Sequence, residues 1–128
     1  MRSRYLPGTV SVWEEKQMLT LVVDKVDLDR IRTPEVMQVA LEAFKVNFRV
    51  IKEAEKRGDI KMSASFVNPP GGFYVLDTPD NDTLVTILAT LPANVFVNRE
   101  VYPLVPNDLI SSTVLPEIEK QVRARSRD

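Results

Sequence analysis

Positions 18–26, Met-Leu-Thr-Leu-Val-Val-Asp-Lys-Val, carry apolar residues at both parities, which predicts a strand covered on both faces. Thr33-Pro34-Glu35 then supplies a capping hydroxyl, a proline suited to the first helical position and an acid at the positive end of the dipole. Beyond it Met37, Leu41, Phe44, Phe48 and Ile51 recur at steps of four and three, the inner stripe expected of a helix that Gly58 ends. In 59–67, Ile60, Met62, Ala64 and Phe66 alternate with Lys61, Ser63 and Ser65. This predicts a strand with one apolar face near a sheet edge, its two serines turned to solvent or a partner. Asn68 to Gly72 reads as a turn, and 73–77 as a second strand apolar at both parities. Thr78-Pro79-Asp80-Asn81-Asp82 opens another helix, with Leu84, Ile87, Leu88 and Leu91 facing inward and Pro92 as its stop. The last strand covers 95–104. A linker is expected over 106–112 and a short helix over 116–125, with Val114, Ile118 and Val122 spaced to dock.

The order β-α-β-β-α-β is the split β-α-β arrangement of ferredoxin-like α+β folds. Right-handed crossovers place the first and third strands in the centre, and those are the two that read apolar on both faces. The expected organisation is an arm over 1–17, the α+β domain over 18–105 and an extension over 106–128. Two helices cover one face of a four-stranded sheet. The other, apolar at one parity of each central strand, is expected to pack on a second copy, as a homodimer or a larger assembly of dimers.

Composition narrows the chemistry. Histidine and cysteine are both absent, which removes the usual general base, thiolate nucleophiles and the commonest metal ligands. Proton transfer falls to Asp, Glu, Lys, Tyr or bound water, and no cofactor or metal is expected. Lys and Arg number 17 against 18 Asp and Glu, a balance that favours neither nucleic acid nor a membrane surface. The N-terminus lacks the apolar run of a signal peptide, and no stretch is long enough to cross a bilayer, so a cytoplasmic setting is expected.

From Phe73 onward the chain resembles the muconolactone isomerase-like branch of the dimeric α+β barrel proteins. The residues that carry the resemblance are Phe73-Tyr74-Val75-Leu76-Asp77, Asp80-Asn81-Asp82-Thr83-Leu84, Leu91-Pro92 and Arg99-Glu100-Val101-Tyr102-Pro103-Leu104. Asp24 after the first apolar run also fits. The resemblance implies a dimeric α+β barrel and a cofactor-free isomerase or cyclase acting on an apolar carbonyl or lactone-type molecule. A cofactor-independent monooxygenase on the same kind of barrel and a non-catalytic ligand-binding or assembly module are the alternatives.

Polar residues set within apolar strands are the candidates for that chemistry. Glu100 and Tyr102 share a parity, so a carboxylate and a phenol point the same way, and burial in an apolar cavity would raise the acid's pKa. Asp24 and Lys25 interrupt the first strand, one as a base and the other to steady an enolate-like oxygen, or else both open a solvated loop. Asn47 on the first helix is placed to bond a ligand carbonyl, or the backbone. Tyr74 offers a hydroxyl at the pocket rim, or fills the core. Arg99, Phe44 and Phe48 complete the expected binding set. Asp77 is expected to fix the turn into Thr78-Pro79.

Overall fold

A computed structural model describes residues 18–126; the expected N-terminal arm lies outside the described residues. The chain divides into two compact units, one running to Pro103 and one beginning at Leu104.

The first unit is an α+β domain. Its elements run β1 (Met18–Val26), α1 (Pro34–Arg57), β2 (Ile60–Val67), β3 (Pro70–Thr78), α2 (Asn81–Ala89) and β4 (Val97–Leu104). The strands form one antiparallel sheet in the order β2-β3-β1-β4, which puts the two doubly apolar strands in the centre as expected. This order is compatible with a ferredoxin-like fold.

The local signals act as their chemistry dictates. The Thr33 side chain accepts from the Val36 N–H at 3.2 Å, and Gly58 closes α1 at φ 84°, a left-handed conformation that favours glycine. The Asp80 side chain accepts from the Thr83 N–H at 2.8 Å and starts α2. Pro92 opens a 3₁₀ turn, Pro92–Phe96, which delays β4 by two residues from its expected start.

Both helices pack on the sheet face that carries Val22, Ile60, Tyr74 and Leu76. Ala54, Leu84 and Leu91 complete that buried core. The stripe of α1 differs from the expected one. Ala40, Asn47 and Ala54 are buried, Phe44 and Ile51 are half-buried, and Met37, Leu41 and Phe48 are exposed. Small residues at 40 and 54 let the helix axis approach the sheet, so the contact line runs beside the largest apolar side chains.

In β2 the register shifts between Ile60, opposite Leu76, and Met62, opposite Val75. The extra residue, Lys61, reverses the expected facing of the rest of the strand. Ile60 stays on the helix side. Met62, Ala64 and Phe66 turn to the opposite face, and Ser63 and Ser65 turn to the helix side, where Ser63 is half-buried and Ser65 is still exposed. Lys61 forms an ion pair at 3.2 Å with Asp77, which is fully buried. On that opposite face Leu21, Val23, Phe73 and Val75 are half-buried. Gly71 belongs to β3 because a side chain there has no room. A Cβ would stand 2.3 Å from the Asp24 carbonyl oxygen and 2.5 Å from the Phe66 ring.

In the second unit the expected linker is helical. α3 (Asn107–Leu109) passes through a π-helical segment, Ile110–Val114, into α4 (Leu115–Ser126). Pro116 has no N–H to give to the carbonyl of Ser112, and its ring crowds that carbonyl, so the widened turn falls just before it. Val114, Ile118 and Val122 are exposed. No helix among the described residues is long and apolar enough to cross a membrane.

Candidate functional site

A cleft of about 450 Å³ opens between α1 and the sheet, beside the β2–β3 hairpin. Phe44, Phe48 and Ile51 of α1 form one wall. The β2 segment from Ser63 to Phe66 and the β3 segment from Pro70 to Tyr74 form the other, with Val26 and Val97 at the side. The lining is mainly apolar, with a few polar groups, as small-molecule sites are.

Three polar side chains meet at its inner wall. Asp24 points to the helix face of β1 and is 7% exposed. Arg99 of β4 grips it with two parallel hydrogen bonds, Nε to Oδ1 at 2.7 Å and Nη2 to Oδ2 at 3.0 Å. The Tyr74 hydroxyl of β3 donates to Oδ2 at 3.0 Å. A carboxylate has about four acceptor positions, and these bonds fill three, so among the described residues one remains open. The cluster ties three adjacent strands together, and such a charge-assisted, two-pronged pair fixes orientation as well as energy. Asp24 and Tyr74 line the cleft, whereas Arg99 stands behind Asp24.

Burial raises the Tyr74 phenol far above the ordinary tyrosine value near 10, and the neighbouring Asp24 charge adds to the rise while Arg99 opposes it. The folded protein therefore keeps this proton at pH values where the unfolded chain has lost it. The stability it contributes is complete below about pH 10 and declines as the pH rises above that. Urea unfolding between about pH 9 and 11 should show a loss approaching about 1.4 kcal/mol per pH unit from this group. Tyr74→Phe should lack that part of the slope; an unchanged slope would refute the assignment.

Asn47 is buried on α1, and its Oδ1 accepts from the Ala93 N–H at 3.3 Å. Because that partner is a donor, the amide's orientation is fixed. Its Nδ2 has no hydrogen bond among the described residues and is left to the cleft that Asn47 lines. The backbone reading of Asn47 is the one the structure shows, through its oxygen. Ser63 donates to Glu55 at 3.0 Å, and Ser65 also lines the cleft.

The remaining expected residues lie elsewhere. Lys25, Glu100 and Tyr102 point to the opposite side of the sheet. There Lys25 pairs with Glu100 at 3.6 Å and Tyr102 donates to the Glu100 carboxylate. Glu100 is exposed, and it is held below the usual carboxylate range by the Tyr102 hydrogen bond and then by Lys25, the reverse of the rise expected from burial. Lys25 does not share a site with Asp24, because neighbours along a strand face opposite ways. Glu100 and Tyr102 do meet as their shared parity implied, but away from the cleft; the carboxylate and phenol that line it are Asp24 and Tyr74, on two adjacent strands.

No protein-family model matches the chain, and comparison with curated proteins finds no relative. Fold and site define the class: an α+β domain with an apolar cleft and a buried carboxylate–phenol–guanidinium cluster on its wall.

Proposed function

We propose that the chain binds a small, largely apolar carbonyl compound in the cleft and isomerises or cyclises it by cofactor-free proton transfer. The resemblance to the muconolactone isomerase-like proteins motivates this reading. The observation that supports it is Asp24, a buried carboxylate with one open acceptor position on the wall of an apolar cleft. In the proposed step that position takes a proton from the carbon next to the ligand carbonyl. The Asn47 amide N–H steadies the enolate oxygen, and Arg99 and Tyr74 hold Asp24 in place. Returning the proton to a different carbon completes an isomerisation, and the electrons stay in the substrate throughout.

Binding without turnover is the second reading. What favours it is that three of the four acceptor positions on Asp24 are already filled. Deuterium uptake separates the two. The chain is incubated in D₂O with a panel of enolisable ketones and lactones, and NMR follows the carbon beside the carbonyl. Deuterium is expected to enter there. Asp24→Asn should slow the exchange at least about 100-fold, within the range usual for removing a general base. Asn47→Ala should weaken binding about tenfold, the loss of one hydrogen bond. Ligand binding with no exchange would leave the binding module standing and remove the enzyme.

A second copy packed sheet to sheet belongs to the same proposal, since Leu21, Val23, Phe73 and Val75 line the uncovered face with Met62 exposed at its edge. Sedimentation of the full chain at micromolar concentration should give a dimer or a multiple of one; a monomer would end the barrel reading.

A further inference from the structure

The polar groups on the cleft wall differ in what they still offer a ligand. Among the described residues that line it, Asp24 alone carries charge. Two guanidinium N–H groups of Arg99 are spent on that carboxylate, and Arg99 does not reach the lining. On α1, Lys45 is paired with Glu42 and Lys52 is exposed, and neither lines the cleft. Among the described residues an incoming molecule therefore meets one acceptor position on Asp24, the donor Nδ2 of Asn47 and the neutral hydroxyls of Ser63 and Ser65, but no cation that is free to neutralise a negative charge.

We infer that the cleft takes an uncharged ligand with an apolar or aromatic body, one carbonyl-type acceptor for Asn47 and one hydroxyl donor for Asp24, and that it discriminates against carboxylates. This deepens the ligand-binding reading above and rests on it. A carboxylate entering the cleft would give up hydration beside Asp24, whose one counter-charge, Arg99, is already engaged, so nothing offsets the cost. A hydroxyl satisfies the open position on Asp24 without adding charge. The two bonding groups have opposite demands, so they also set which end of the ligand lies toward β1 and which toward α1.

Two compounds with one ring skeleton test this: 6-acetyl-2-naphthol, which is neutral at about pH 6.5, and 6-hydroxy-2-naphthoate, which replaces the acetyl group by a carboxylate. Calorimetry on the full chain measures affinity, and amide shifts at Ala64, Gly72 and the Asn47 turn locate the site. The ketone is expected to bind at least tenfold more tightly than the acid. Asp24→Asn removes the fixed charge and releases Arg99, and should raise the affinity for the acid at least tenfold. The wild-type comparison is decisive even if that variant fails to fold. Equal or tighter binding of the acid by the wild type would overturn this inference alone. Failure of both compounds to shift cleft amides at millimolar concentration would overturn it together with the binding reading.

Discussion

Arg99→Met is expected to lower the stability of the domain by about 3 kcal/mol, because it strands a carboxylate inside the protein. The side chains of Arg99 and Asp24 are only 19% and 10% exposed, so water can do little for the charge that is left. Breaking a buried pair from one side costs about 3–5 kcal/mol, and the small residual exposure puts this case at the lower end. In a domain of this size the melting temperature should fall by roughly 15 °C. A companion measurement identifies the cause. The Asp24→Asn/Arg99→Met double variant should be more stable than Arg99→Met alone, since it removes the unpaired charge. A loss below about 1 kcal/mol, the range of exposed ion pairs, would mean that the pair is solvated and that Asp24 is not a buried group.

Leu76→Ala should cost about 3 kcal/mol or more. Leu76 is fully buried on a central strand and belongs to the core that both helices cover. Removing its isobutyl group deletes transfer energy and leaves a cavity that two helices and a sheet cannot close. Met37→Ala is the matched comparison. Sequence periodicity puts Met37 on the inner stripe of α1, but it is 51% exposed, and its truncation should change stability by less than about 0.5 kcal/mol. Equal losses from the two substitutions in urea titrations would contradict the observed facing of α1.

Much of the fold was legible because its signals are local. The β1 limits, the Thr33 and Gly58 caps of α1 and the opening of α2 at Asp80 each depend on a few adjacent residues and one hydrogen bond. The central places of β1 and β3 followed from apolar residues at both parities, a pattern that records burial on two sides. The facing of β2 was not legible. One bulge at Lys61 exchanges every later side chain between the two faces, and the sequence marks it with nothing more than an ordinary lysine. The stripe of α1 was displaced for a related reason: alanines set how closely a helix approaches, while periodicity weighs only large apolar groups.

The candidate site divides in the same way. Asp24, Asn47, Tyr74 and Arg99 stood out as polar residues among apolar neighbours, because a buried polar group needs a reason to be there. Which of them meet was decided by the tertiary structure. Strand order brings residues 24, 74 and 99, far apart in the chain, within hydrogen-bonding distance, and the alternation of each strand sends Lys25, Glu100 and Tyr102 to the other face. The sequence by itself determined the elements, their caps and the supply of polar groups, all of which act over a few residues. The cleft and its cluster depend on register and sheet order, which exist only once distant segments have packed.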